Sequence, residues 1–167
     1  DFGKGAVQLR DAVISYDASP AFGLSLGQYK VRYDRQQYVS SGRQMFVDRS
    51  IASREFGLSR DIGLMFAGAP LQKKLQWNVG VFDGQGTPHP SDANKNDGHL
   101  YVARVSINPN GDFGLSESDI KKTDYHLWYV DLAAYWNEDI WKDANADKKE
   151  QPGELTDNEA WTFGFGY

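Results

Sequence analysis

The 167-residue sequence contains no cysteine, and none of its apolar runs reaches the length of a membrane-spanning helix. The first absence excludes a disulfide framework and a thiolate metal site. The second excludes a helical membrane protein, which needs about 20 consecutive apolar residues. No charged segment followed by an apolar run stands at the N-terminus, so we expect any signal peptide to lie outside this sequence. The mean hydropathy of -0.60 leaves a transmembrane β-barrel open, because such strands are polar on one face.

Residues suited to catalysis are also scarce. The three histidines (His89, His99 and His126) lack the spacing of a zinc site, and neither a nucleophile elbow nor a phosphate-binding loop is present. We therefore expect no enzymatic activity and no cofactor, although a carboxylate pair for glycoside hydrolysis remains compatible with the sequence.

Apolar and polar residues alternate with a period of two along most of the chain, which is typical of β-strands with two different faces. No segment keeps a helical period over three turns, so we predict an all-β fold. The predicted strands cover residues 6–18, 21–33, 61–68, 75–81, 99–107, 125–136 and 161–167. Their connections are alternately short and long, as in an antiparallel transmembrane β-barrel with short turns at one membrane face and long loops at the other.

Two other architectures fit the same pattern. A soluble, carbohydrate-binding β-sandwich would use the aromatic residues, which make up 14% of the chain, in its core and binding face. A complete small barrel of about eight strands would explain the aromatic alternation at Trp161, Phe163, Phe165 and Tyr167. Heat-modifiable migration on a gel and solubility without detergent would separate the barrels from the sandwich.

Charge is distributed unevenly along the chain. Residues 1–81 contain 11 basic and 7 acidic side chains (+4), whereas residues 82–167 contain 7 basic and 16 acidic side chains (-9). The basic excess lies between positions 30 and 60, and its members are Lys30, Arg32, Arg35, Arg43, Arg49, Arg54 and Arg60. Because arginine favours planar, bidentate binding of oxyanions, this segment predicts an anion-binding role. The net charge of -5 argues against nucleic acid as a partner.

The second predicted strand places apolar and cationic side chains at the same parity. A cation that faces lipid near the membrane midplane costs about 2–4 kcal/mol. We therefore predict a bulge at Gly27 that turns Gln28, Lys30 and Arg32 toward the lumen, with Tyr29 and Val31 outward.

Several motifs occur in order over residues 5–120: LRDAVISYDASPAFGLSLGQYKVRYDRQQ, SSGRQMFVDRS, LSRDIGLMFAG, WNVGVFDGQG, YVARVSINPNG and SESDI. Together they resemble the phosphate-selective porin O/P family of outer-membrane β-barrels. The resemblance implies a homotrimeric barrel of about sixteen strands in the bacterial outer membrane, of which residues 1–167 would be an internal portion. It also implies contact with outer-membrane lipid and passive diffusion of small anions such as phosphate.

By the same resemblance, residues 34–59 form the loop that folds into the lumen and narrows the pore. We expect the seven cations between positions 30 and 60 to bind anions there, because arginines in a narrow pore replace part of an anion's hydration shell and repel cations. The alternative is that the loop arginines brace the loop through ion pairs. Such pairs would join Arg43, Arg49, Arg54 and Arg60 to Asp48, Glu55 and Asp61.

Residues 137–158 form an acidic segment that we expect to be an external loop. Within it, Asp143, Asn145, Asp147 and Glu154 occupy positions 1, 3, 5 and 12 of a calcium-binding EF-hand loop. Lys148 stands where that loop needs glycine, and no flanking helices are predicted. A calcium site and a solvated loop therefore both remain interpretations of this segment.

Overall fold

A computed structural model describes residues 9–84, 98–117, 123–138 and 158–167. Its strands are β1 (Ala12–Ser19), β2 (Phe22–Lys30), β3 (Arg60–Gly68), β4 (Leu75–Phe82), β5 (Leu100–Ile107), β6 (Tyr129–Asn137) and β7 (Asn158–Gly166). Two short helices, α1 (Arg35–Tyr38) and α2 (Ile51–Phe56), and a 3-10 turn at Ser41–Arg43 lie between β2 and β3. Each strand predicted from the alternation is present, with ends shifted by a few residues. None of the helices in these ranges is long and apolar enough to cross a membrane.

The seven strands form one antiparallel sheet in sequence order. Each strand pairs with the next, so that Leu26 lies opposite Leu64 and Val105 lies opposite Leu132. β1 and β7 are the two edges of the described sheet and do not pair with each other. The all-β prediction is confirmed, and the single sheet is consistent with a portion of a porin barrel rather than with a sandwich or a closed ring of these strands.

One face of the sheet is apolar and is left uncovered by the described part of the chain. Ile14 and Trp161, near its two edges, are 79% and 81% exposed. The strand register places on this face Ile14, Tyr16, Leu64, Phe66, Trp77, Val79, Val81, Tyr101, Val105 and Val130. Proteins in water rarely expose a contiguous apolar surface of this extent, and this uncovered apolar face is the one that the alternation predicts.

The opposite, inner face is covered by residues 31–59, which we call the inserted loop. Tyr33 in this loop is buried and packs edge-on against Tyr135 of β6, with 4.8 Å between the ring centroids. Further along, Phe56 lines the same cavity as Ala160 and Thr162 of β7. The inserted loop therefore extends across the inner face from β2 to β7.

A second segment, residues 108–117, also lies over the inner face, and we call it the inner segment. It follows β5 directly, so it begins at the end of the sheet opposite to the end at which the inserted loop leaves β2. The ring of Phe113 packs against Tyr129 of β6 with 4.7 Å between centroids. Leu115 lines a cavity together with Asn78 and Arg104 of the seven-stranded sheet, which we call the wall. The polar sequence that begins at Asn108-Pro109-Asn110-Gly111 indicates a connection longer than a turn, but nothing in it predicts the inward path.

The prediction for the faces of β2 is wrong. The register continues through Gly27 without a bulge, so Gln28 lies opposite Ile62 on the apolar face. Tyr29 and Val31 point inward and are 8% and 1% exposed. The physical reason is that the inserted loop covers the inner face at this strand, which makes that face a packed core instead of a wet lumen.

Gln28 and Lys30, the polar residues at the end of β2, donate hydrogen bonds to main-chain carbonyls. The Nε2 of Gln28 donates hydrogen bonds of 2.9 Å to the carbonyls of Leu9 and Arg10 beside the edge strand. Lys30 shares the parity of Gln28, but its ammonium donates to the carbonyl of Gln37 in the inserted loop. Arg32 follows the end of the strand and lines a cavity on the inner side.

Candidate functional site

The inserted loop owes its shape to two capped helical turns. Asp34 caps α1 by accepting hydrogen bonds from the amides of Gln36 and Gln37 at 3.2 and 3.1 Å, and Ser50 caps α2 by accepting one from the amide of Ser53 at 3.1 Å. The hydroxyl of Ser53 also donates to Asp34. Helices this short are not stable alone, so these side chains join the two turns into one unit.

The two ends of the inserted loop are held together, and one of them is bonded to the sheet. The side-chain amide of Asn78, on the inner face of β4, donates to the carbonyl of Arg32 at 3.1 Å, and the amide of Val31 donates to the carbonyl of Ser59 at 3.1 Å. Burial raises the pKa of the neighbouring Tyr33 to about 12, so its phenol remains neutral. The loop therefore leaves the wall at a defined position.

Three of the seven predicted cations are engaged with the protein itself. Lys30 donates to the carbonyl of Gln37 at 3.1 Å, and Arg60 makes two hydrogen bonds of 3.0 Å to Asp11. Arg49 lies inside the loop and donates to its main-chain carbonyls, at 3.2 Å to Gln36 and 3.3 Å to Val39. Of these three interactions only that of Arg60 is an ion pair, and its partner is Asp11 and not an acidic residue of the loop.

Arg35 is also engaged, in a more enclosed setting. Its guanidinium donates to the carbonyl of Gly114 and lies 4.1 Å from the ring centroid of Tyr129 and 5.3 Å from that of Phe113. Burial lowers the pKa of Arg35, while Tyr129 and Asp131 act in the opposite direction. Arginine stays protonated at any physiological pH, so a positive charge is held here between the loop and the wall.

The remaining three cations have guanidinium groups without a hydrogen bond or ion pair in the described ranges. They are Arg32, Arg43 and Arg54. Arg43 and Arg54 are exposed, and Arg32 stacks on the ring of Tyr38 at 5.2 Å. A guanidinium that stacks on a ring keeps its edge donors available.

The wall beneath the inner segment contains a buried ion pair that the sequence analysis does not predict. Arg104 of β5 donates from Nη2 and Nε to Oδ2 of Asp131 at 2.5 and 3.0 Å, and both side chains are 6% exposed. Oδ1 of Asp131 has no partner within the described ranges. Such a pair can be recognised once the strand register is known, because its two charged residues lie on the inner face of adjacent strands.

A half-open cavity of about 550 Å³ lies where the inserted loop and Leu115 of the inner segment approach the sheet. Its polar and charged lining residues are Asp17, Ser19, Arg32, Tyr38, Gln76, Asn78 and Arg104. Because Arg104 is neutralised by Asp131, Arg32 contributes the unneutralised positive charge in this lining, and Asp17 adds a carboxylate to it. The cavity is large enough for a small oxyanion and supplies the donors that such an ion needs.

The predicted calcium ligands Asp143, Asn145, Asp147 and Glu154 lie outside the described residues, as does most of the acidic segment 137–158. Within the described ranges, no group of three or more acidic or histidine side chains is arranged to hold a metal ion.

A single antiparallel sheet with an apolar outer face, and with an arginine-bearing loop across its inner face, defines a porin-type wall. The sequence model of the family described as phosphate-selective porin O and P matches residues 1–145 of the 167 residues. The chain belongs to that family, and membership in a porin family indicates, in general, passive passage of anions through a channel. Searches of curated proteins and of solved structures found no match.

Proposed function

We propose that this chain is part of an anion-favouring pore of the bacterial outer membrane, in which the inserted loop forms the constriction. The observation that supports this function best is the set of three guanidinium groups, on Arg32, Arg43 and Arg54, that the described protein does not neutralise. Residues 31–59 contain five arginines and three acidic residues, a balance of +2. The loop thus supplies positive charge on the inner side of the wall.

Passage needs only electrostatics and a sequence of weak sites. An anion that enters a narrow lumen loses part of its hydration shell, and arginine donors replace it. A unit charge about 4 Å from a guanidinium gains about 4 kcal/mol at the effective dielectric constant of a protein surface, and a cation is repelled equally. Spreading the charge over separate arginines lets the anion leave each site, so the current is not blocked by tight binding.

Phosphate is the anion that we propose, because family membership and the bidentate geometry of arginine both favour a tetrahedral oxyanion. A homotrimeric assembly, with the apolar outer face against outer-membrane lipid, is part of the same proposal. No cofactor is required for this function.

The test uses inorganic phosphate as a blocker of chloride current through the reconstituted protein. Phosphate that binds the loop arginines should reduce the chloride current, and a variant with Arg32→Gln, Arg43→Gln and Arg54→Gln should need about tenfold more phosphate if the three contacts together supply about 1.4 kcal/mol. Lys74→Gln is the matched control, since Lys74 is an exposed cation in the β3–β4 turn, away from the loop. Equal sensitivity of the triple variant and the native protein would contradict the assignment.

A further inference from the structure

The inserted loop and the inner segment come from opposite ends of the sheet and meet over its inner face. The amide of Glu117 donates to the carbonyl of Arg43 at 3.0 Å, and the carboxylate of Glu117 accepts a hydrogen bond of 2.8 Å from the amide of Met45. Both bonds are made to the main chain of the loop. The contact therefore fixes the course of the loop backbone beside Arg43.

The inner segment is itself anchored to the sheet at a place that the loop does not touch. The amide of Asn108 donates to the carbonyl of Lys74 at 2.6 Å. The carboxylate of Asp112 accepts hydrogen bonds from the ammonium of Lys73 at 3.1 Å and from the amide of Gly114 at 2.9 Å. The inner segment can therefore act as a fixed support for the loop.

One side chain joins the loop, the inner segment and the wall. Arg35 extends from α1, donates to the carbonyl of Gly114 in the inner segment, and lies against the rings of Phe113 and Tyr129. A planar guanidinium can stack on a ring and donate from its edge at the same time, whereas an ammonium cannot do both with the same geometry. The loop has only short helical turns of its own, so its position depends on contacts of this kind.

We propose that Arg35 is a positioning residue of the pore: it clamps the inserted loop to the inner segment and thereby fixes the width of the constriction and the placement of the free arginines. The proposal rests on the proposed channel function. It assigns Arg35 a role different from that of Arg32, Arg43 and Arg54, since Arg35 acts through the loop backbone and not by contact with the anion.

The test replaces the clamp by a covalent tether. Arg35→Met keeps an unbranched apolar stem and removes the guanidinium with its donors, and we expect it to increase open-channel current fluctuations and to move the reversal potential in a KCl gradient toward zero. Gln44→Cys with Glu117→Cys places two cysteines where the main-chain bond between Arg43 and Glu117 holds the segments within reach of a disulfide. The native chain has no cysteine, so this pair is unique.

In the Arg35→Met background, oxidation of the tether should restore quiet currents and the native reversal potential, and reduction should abolish the rescue in the same protein. If the tether closes without restoring either quantity, Arg35 acts as a direct anion contact and the proposal is wrong. Native behaviour of Arg35→Met without a tether would also overturn it.

Two further readouts keep the test decisive. If Arg35→Met does not fold, the cysteine pair is tested in the otherwise native protein. The disulfide tether should then form readily and leave the current unchanged. A tether that fails to form, or that closes the pore, contradicts the proposal. Current fluctuations are measurable for a pore of any selectivity. A native pore that is not anion-selective would thus refute the proposed function while leaving the clamp testable.

Discussion

Charged side chains with little exposure lie on the inner face of the sheet, beneath the segments that cover it. Arg104 and Asp131 form a buried ion pair on the inner face, and Arg35 lies close enough to influence Asp131 electrostatically. In a barrel wall, such groups are sealed by the chain that folds over them. Their contribution to stability depends on both partners remaining in place.

Arg104→Met should destabilise the protein strongly, because it leaves the carboxylate of Asp131 buried without its partner. We expect a loss of about 3–5 kcal/mol in the free energy of unfolding, measured by urea titration in lipid vesicles. The double variant Arg104→Met with Asp131→Leu should recover most of that loss, since apolar replacement of a buried pair is often nearly neutral. A single variant as stable as the native protein would show that the pair is hydrated and not buried.

Acid should weaken two ion pairs at the ends of the strands. The hydrogen bond from Arg60 lowers the pKa of Asp11 from its ordinary value of 3.8. Burial raises the pKa of Asp112, but bonds from Gly114 and Lys73 outweigh it and lower the pKa overall. A carboxyl whose folded-state pKa is depressed contributes stability that is complete above pH 3.8 and is lost as the pH falls through the folded-state value.

Each of these pairs is partly exposed, so its contribution should be only about 0.2–1 kcal/mol. Urea titrations at a series of acidic pH values should show a smaller loss of stability with falling pH in Asp11→Asn and Asp112→Asn than in the native protein. Parallel curves for native and variant proteins would contradict the assigned shifts.

At the scale of elements, the β1–β2 pair depends on a close backbone approach at Gly27. Gly27 has a φ of +133°, and a Cβ there would lie 2.1 Å from the carbonyl oxygen of Ala12. Gly27→Ala should therefore cost about 1–3 kcal/mol in the free energy of unfolding and loosen the edge strand. Gly42→Ala is the matched control, since a Cβ at Gly42 meets nothing within 4 Å. Equal stability of the two variants would show that β1 is not held in this register.

The strands and their apolar face could be predicted from the sequence because successive side chains of a strand point to opposite faces, which gives a period of two. The inward face of Tyr29 and Val31 could not, because it depends on how the inserted loop folds back over the sheet, and the alternation within one strand does not contain that path. The inward course of the inner segment and the pairing of Arg104 with Asp131 depend on register, which single-strand periodicity does not contain.

Within the candidate site, composition identified the arginine-rich segment but could not sort its members. Lys30, Arg35, Arg49 and Arg60 are held by carbonyls or by Asp11. The sorting follows from the folded path of the loop, which brings main-chain carbonyls of Gln36, Gln37 and Val39 to the side chains. The folded structure is therefore needed to identify Arg32, Arg43 and Arg54 as the cations whose guanidinium groups make no hydrogen bond or ion pair in the described ranges.

At the scale of the whole molecule, the apolar outer face, the covered inner face and the unneutralised arginines together predict that the protein conducts anions in preference to cations. The most direct measurement is the zero-current potential of the native protein in a planar bilayer that separates concentrated from dilute KCl. We expect the zero-current potential to have the sign that chloride sets when it moves down its concentration gradient. A potential of the opposite sign, set by potassium, would contradict it.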